Sequence, residues 1–419
     1  MTNLTTVSDA SKLLDVSVDT IRRWEKKGLI KARRDEKNYR VFDMEELRRA
    51  HDKYVGREAQ HSRFVVLKNT RVKKYSSIEL FAGAGGLALG MENAGIKHNL
   101  LVEIDKNAAS TLKLNRPDWK VICSDVRQYS FEGLTADIVT GGFPCQAFSF
   151  AGNQLGFEDA RGTLFYELAR CINEVRPKIA VGENVRGLLA HDNGRTLKAM
   201  LSIFDELGYR VAYKVLRAQY FDVPQKRERL VIVAVRKDLD FPILFPKERD
   251  YTVSMREALQ DVPPSQGQEY PKKKHDVLKL IPPGGYWRDL PIELQKEYMG
   301  GSYFLGGGKT GMARRLAWDE PSLTLTCSPA QKQTERCHPE ETRPLNIREY
   351  ARIQTFPDDW QFDGSVSSQY KQIGNAVPVN LGFHIGQCLI AMLSGKADYS
   401  MMDELPSYDE YKSGQLELL

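Results

Sequence analysis

One of the six cysteines in this 419-residue chain stands where a nucleophile would be useful. Cys145 follows Pro144 at the end of the apolar run ADIVTGGF (136–143), within the segment GGFPCQAFSFAG. Proline fixes the backbone just before it, and a thiol that leaves a strand end for a loop is accessible to a reactant. A thiolate there can add to an electron-poor carbon; the ordinary alternative for any single cysteine is packing in a core. Two more apolar runs bring partners to their ends. KIAVGENV (178–185) carries Glu183, and QKRERLVIVAVR places Gln225, Arg227 and Arg229 on alternate positions, so that they share one strand face. A thiol, a carboxyl and two arginines at one rim could add a nucleophile, move a proton and hold developing negative charge.

A second group of residues has the chemistry of a binding pocket. In FAGAGGLALG, Gly83, Gly85 and Gly86 follow the first apolar run and let the backbone approach a ligand, but the spacing is not the G-x-G-x-x-G of a pyrophosphate site. Glu103 ends the next run, 20 residues after Gly83, where a carboxylate accepts hydrogen bonds from ribose hydroxyls; Asp125 ends the third. Carboxylates without a basic phosphate clamp suit a ligand with ribose and adenine but no phosphates, and S-adenosylmethionine fits that description. Taken singly, either carboxylate could be only a solvated strand terminus.

These side chains need a scaffold, and the spacing of the apolar runs supplies one. SSIEL (76–80), NLLVEI (99–104), WKVIC (119–123) and ADIVTGG (136–142) recur about every 20 residues, separated by helical stretches such as LALGMENAG and KNAASTLKL. That rhythm predicts βα units and a doubly wound α/β sheet, with ligands at the C-terminal strand ends. Residues 241–342 break it with VPPSQ, IPPGG and GGSYFLGGGKTG. A hydrophobic fraction of 42% excludes a disordered chain. The cysteines form no C-x-x-C pair, which argues against a disulfide framework or a zinc ribbon, and no metal is expected. No run approaches a membrane span and the start lacks the pattern of a signal peptide, so a cytoplasmic protein without membrane attachment is expected.

The charge is uneven. Residues 1–75 carry 19 Lys and Arg against 11 Asp and Glu in a chain whose net charge is only +5, which points to a nucleic-acid partner at the N-terminus. There the pattern predicts a helix, the turn Val16–Val18, a second helix from about Asp19 to Lys27 with Ile21 and Trp24 inward, a hairpin over LIKARRDEKNYRVFD, and a further helix. VSVDTIRRWEKKGLI and NYRVFDMEELRRA resemble the winged helix-turn-helix of MerR-type regulators. The resemblance implies that the second helix enters a major groove and the wing touches the backbone, with Thr20, Arg22, Arg23, Arg34, Tyr39 and Arg40 placed to do so. The long dimerising helix of that family is not evident, so a monomer is expected.

In the rest of the chain, FAGAGG, PCQAFS, ENV, QKRER, REYARIQTFPDDW (348–360) and QIGNAVPVNL (372–381) stand in the order found in DNA cytosine carbon-5 methyltransferases, and the chain resembles a bacterial member of the restriction–modification kind. That resemblance implies a Rossmann-like, S-adenosylmethionine-dependent domain at 76–240 and 343–395, after a linker at 56–75. The insert at 241–342 would be the target recognition domain, the N-terminal winged helix-turn-helix would occupy residues 1–55, and residues 396–419 would be a tail. It makes Cys145 the nucleophile toward carbon 6 of a flipped-out cytosine, Glu183 the group that protonates N3, and Arg229, secondarily Arg227, the holders of O2. Phe81, Gly83, Gly85, Gly86, Glu103, Ile104, Asp125, Val126, Asn375 and Val377 would line the cofactor pocket. Gln146, Ser149, Arg161, Arg314 and Arg315 join Arg22, Arg23 and Arg40 as expected DNA contacts. Double-stranded DNA, a promoter site and a partner restriction endonuclease are the implied associates. A regulator with an inactive methyltransferase half, or an RNA cytosine methyltransferase, are the competing readings.

Overall fold

The computed structural model describes residues 4–14, 16–26, 28–35, 39–44, 46–48, 50–51, 64–69, 74–144, 163–304 and 311–408. The chain forms two compact units, one of Met1–Val65 with Thr252–Ile353 and one of Val66–Tyr251 with Gln354–Leu419.

The first unit begins with strand β1 (Leu4–Thr6), helices α1 (Val7–Leu13) and α2 (Val18–Lys26), and strands β2 (Arg33–Arg34) and β3 (Arg40–Asp43). Thr6 caps α1 by accepting the amide of Asp9 at 3.2 Å. Ile21 and Trp24, three residues apart on one face of α2, close with Ala10, Phe42 and Leu47 over a small core. The predicted hairpin is present and gains a third strand, since β1 pairs antiparallel with β3. The addition has a physical reason, because two strands this short are marginal alone.

Residues 252–353 of the same unit are sparse in regular structure, with helices at Met255–Leu259, Lys272–Leu278, Ile292–Met299 and Ile347–Ile353. Tyr270, Leu278, Ile281, Trp287, Met312 and Cys337 make their core. Backbone carbonyls that strands or helices would satisfy need other donors here. Arg315, almost wholly buried, meets several of them.

The second unit is the α/β sheet. Its elements are β4 (Tyr75–Leu80), α3 (Gly86–Ala94), β5 (Ile96–Glu103), α4 (Lys106–Asn115), β6 (Val121–Cys123), β7 (Ile138–Gly141), α5 (Leu164–Val175), β8 (Ile179–Val185), α6 (Arg195–Glu206), β9 (Tyr209–Arg217) and β10 (Glu228–Arg236). The strands lie in the order β6-β5-β4-β7-β8-β10-β9. The first five pair in parallel, and β10 runs antiparallel between β8 and β9. One sheet face packs on α5 and α6 through Phe165, Leu168, Ile172, Met200 and Phe204. The other packs on α3 and on a late helix through Leu87, Met91, Leu381, Ile385 and Leu389, each such side chain contributing about 1.5–3 kcal/mol by its burial. From β4 the order runs one way to β5 and β6 and the other way to β7 and β8, which opens a crevice at the strand ends.

Three C-terminal elements complete this unit: α7 (Val366–Asn375), α8 (Val379–Ser394) and strand Met402–Glu404, which pairs antiparallel with Leu244–Pro246. The stretch after Lys396, expected as a tail, is therefore tied into the unit as far as Glu404. Residues 366–394 are long and apolar enough to cross a membrane, but they are two helices broken at Ala376–Pro378, with most of their apolar surface inside the unit.

Candidate active site and DNA-facing elements

Strands β8 and β10 fix the first pair. Glu183 lies opposite Val231 in the ladder, and Arg229, two residues before Val231, shares its face. The Arg229 Nε stands 2.6 Å from Glu183 Oε1, with both side chains about nine-tenths buried. Arg229 Nη1 also donates to the Glu228 carbonyl at 2.8 Å. Burial pushes the Glu183 carboxyl above its ordinary range while the Arg229 charge pulls it back, and burial lowers the Arg229 pKa. Burial thus favours the neutral carboxyl and the arginine beside it the ionised one, with burial the larger of the two.

The chain that leads to the thiol passes directly over this carboxylate. A Cβ at Gly142 would lie 3.0 Å from Glu183 Oε2, so glycine is what lets the backbone approach. Asn184 Nδ2 donates to the Phe143 carbonyl at 2.9 Å, and its Oδ1 accepts the Val185 amide at 2.8 Å. A residue that composition alone would not single out thus ties the run-up to Pro144 onto the strand of Glu183. Cys145, Gln146, Ser149 and Arg161 lie outside the described residues.

Arg227 does something else. It is fully buried, its Nη2 donates to the Gly374 carbonyl at 2.9 Å, and its Nη1 reaches Gln225 Oε1 at 3.5 Å. Gln225 donates to Gln354 Oε1, and Gln354 Nε2 donates to the carbonyls of Ile373 and Ala376. The expected arginine pair is therefore divided: Arg229 goes to the carboxylate and Arg227 to the last turn of α7. Gln354, the partner missed in the sequence, sits in REYARIQTF with no signal beyond its type.

At the ends of β4, β5 and β6 the residues expected in the cofactor pocket assemble. Glu103 is buried and accepts the Gly83 and Asp105 amides, both at 2.7 Å. Burial raises its pKa against these two donors. Ile104 beside it is 63% exposed, an apolar face presented at the rim. Asp125 is held below the usual carboxylate range by hydrogen bonds from the Arg127 side chain and amide. Phe81 takes a left-handed φ of 58° and packs on the sheet core; Val126 is buried. Asn375 is exposed, and Val377 brings its carbonyl so close to the loop that a Cβ at Gly86 would stand 2.1 Å away. Gly85 forms the N-cap of α3. Among the described residues no group of His, Cys, Asp and Glu is placed to hold a metal ion.

In the first unit, Arg22 and Arg40 are exposed, Arg40 forming an ion pair with Glu25 at 2.9 Å. Arg23 is half-buried and donates to Thr252 and Thr20. Arg314 is mostly buried, 3.8 Å from Glu320 and above the Tyr286 ring. The expectation of a DNA contact at Arg315 is corrected. Its guanidinium donates to the carbonyls of Ile281, Leu278, His338, Glu340 and Glu341 and to the Thr342 hydroxyl, which occupies every N–H it has.

The C-5 cytosine-specific DNA methylase family matches residues 75–391, and the MerR family regulatory proteins match residues 6–42. The type II methyltransferase M.Eco47II of Escherichia coli is 54% identical over 400 residues, 92% of this chain and 95% of its own length. The type II methyltransferase M.PspPI of Psychrobacter sp. (strain TA137) is 57% identical over 334 residues, 77% of this chain and 80% of its own. In fold, a DNA modification methyltransferase encoded in an Escherichia coli prophage aligns with a TM-score of 0.56 at 22% identity, covering 77% of this chain and all of that one.

Proposed function

The chain belongs to the C-5 cytosine-specific DNA methylases, and from that premise we propose which of its residues perform the transfer. It is a type II DNA methyltransferase that acts on carbon 5 of cytosine, and its N-terminal region is of the MerR DNA-binding kind. Carbon 5 is a poor nucleophile until a group adds at carbon 6, and no such group reaches a base stacked in duplex DNA, so the base is flipped out.

Cys145 supplies the thiolate that bonds to carbon 6. Electron density then moves onto N3 and O2. Glu183, whose pKa burial raises, gives a proton to N3, and Arg229 donates to O2. After transfer carbon 5 loses its proton to solvent, and the returning electron pair restores the ring double bond as Cys145 leaves. The carboxylate that took no part in bonding to carbon recovers its proton from N3. The single observation that carries this reading is the buried Glu183–Arg229 pair directly beneath the backbone that leads to Cys145.

The strand-end residues fit S-adenosylmethionine, which when bound supplies an electrophilic methyl group. Glu103, fixed by two amides, keeps lone pairs for the ribose hydroxyls; Ile104 offers an apolar face to the purine. Asp125 becomes free for the adenine amine if Arg127, more than half exposed, swings away. Gly83, Asn375 and Val377 would line the same space. We place the enzyme in the cytoplasm as a monomer, partnered by a restriction endonuclease, with residues 1–55 binding an operator that controls its own synthesis.

Bisulfite sequencing of DNA from cells that express the protein tests the whole reading. A protected cytosine in one recurring sequence is expected, and either its absence or an undiminished signal in the Cys145→Ser variant would overturn the reading.

A further inference from the structure

In the first unit the DNA-reading end of α2 is not open. The backbone amide of Ser17, at the start of α2, donates to the Asp319 carboxylate. The Arg23 Nη1 donates to the Thr252 hydroxyl at 2.7 Å, and its Nη2 to Thr20 at 3.1 Å. Thr20, which the helix-turn-helix pattern turns toward DNA, has no exposed surface at all. Ser17 and Thr20 share a hydroxyl contact of 2.9 Å, and the Thr20 amide donates to the Ser17 hydroxyl at 3.0 Å. Asp319 and Thr252 belong to the region between Tyr251 and Ile353, which lies more than two hundred residues along the chain.

The chemistry of the cover is that of the ligand it displaces. A helix N-terminus offers free N–H groups and a positive dipole end, the ordinary place for a DNA phosphate. Asp319 puts a carboxylate there, and Thr252 puts an oxygen acceptor on the arginine. The imitation is incomplete, because the Nε of Arg23 is buried without a hydrogen-bond partner. An unsatisfied buried donor weakens the docked arrangement, and a phosphate with three acceptor oxygens would satisfy it. Arg22 and Lys26, both exposed, remain available to draw DNA in, and Arg40 on the wing forms a surface ion pair with Glu25.

We propose that the surface around Thr252 and Asp319 is an intramolecular docking site for the reading end of α2, and that docking and duplex binding by α2 exclude each other. The inference rests on the reading of residues 1–55 as a DNA-binding domain and adds its control: the domain reads DNA only after it leaves this surface. Apparent affinity for such DNA is then reduced by the fraction of molecules that are undocked.

The test uses the full-length chain. Wild type, Asp319→Ala and Thr252→Val are each incubated with a pool of random-sequence duplexes, bound DNA is sequenced, and affinity for the enriched sequences is measured by fluorescence anisotropy. The variants should enrich a sequence distinct from the methylated site and bind it roughly tenfold more tightly than wild type. That gain should vanish when Arg22 and Arg40 are both changed to alanine, and methyl transfer to bulk bacterial DNA should stay at the wild-type level. Equal affinity in wild type and both variants, still dependent on Arg22 and Arg40, overturns the docking site and leaves the DNA-binding reading intact. No Arg22- and Arg40-dependent sequence in any of the three proteins overturns both. If Asp319→Ala loses methyl transfer, Thr252→Val decides alone.

Discussion

In the sheet unit Arg229 faces one carboxylate and one carbonyl, whereas in residues 252–353 Arg315 gives itself to six oxygen atoms. The difference follows from the backbone around each. β8, β9 and β10 satisfy their own N–H and C=O groups in a ladder, so an arginine on that surface is available for a substrate. Residues 252–353 have little regular structure, and their carbonyls need a donor from a side chain. An arginine count therefore says little about DNA contact where the chain is irregular. What matters is how many backbone acceptors lack partners nearby.

The largest test of this division is Cys145→Ser, which should abolish transfer of labelled methyl groups to DNA while leaving DNA binding by anisotropy intact. Residual turnover near the wild-type level would remove the sheet unit's claim to the chemistry. Glu183→Gln, or Arg229→Ala, should lower kcat by about 10²–10⁴ with little change in thermal midpoint; a large drop in midpoint without a kinetic effect would make the pair structural, like Arg315. Arg315→Met should in turn destabilise the intact protein by about 3–5 kcal/mol in denaturant unfolding, since several carbonyls lose their donor at once. If that variant unfolds like wild type and only binds DNA less well, Arg315 belongs with the DNA contacts after all.

The smallest effect concerns a carboxyl buried in the sheet. Glu79 in β4 touches the Thr140 hydroxyl at 3.4 Å, and burial pushes its pKa up to about 8. The folded state then holds a proton that the unfolded chain releases near 4.5, so this group's contribution to stability is full at low pH and is lost as pH rises toward 8. Glu79→Gln should flatten that dependence, by about 2–4 kcal/mol across the window. Parallel stability curves for variant and wild type would mean that a hidden partner carries the charge.

Much of the sheet unit was legible from residue types. Apolar runs spaced about 20 residues apart became β4 to β7, and Glu103, Glu183 and Arg229 stand at or beside strand ends as the patterns required. The antiparallel placement of β10 was not legible, since a run of alternating apolar residues carries no direction. Nor was the partition of Arg227 from Arg229: the Arg227 amide turns back to the Gln225 carbonyl at 2.9 Å and β10 begins only at Glu228, so alternation does not run through Arg227, and Gly374 comes from a helix 147 residues later. In residues 252–353 periodicity had almost nothing to report, and the burial of Arg315 depends on carbonyls from two separated stretches, 278–281 and 338–341, that no local pattern connects.

The return of the chain after Gln354 has a consequence for synthesis on the ribosome. Val377 closes against the glycine loop, Arg227 waits for Gly374, and Leu244–Pro246 waits for Met402–Glu404. Everything from Val66 to Tyr251 therefore emerges with one helix layer missing, and must stay incompletely packed while about a hundred residues of the other unit are made. The N-terminal helix-turn-helix, whose core is local, has no such delay. A nascent chain can thus complete its DNA-reading domain well before it can hold a methyl donor, and premature termination before Gln354 would yield the former without the latter.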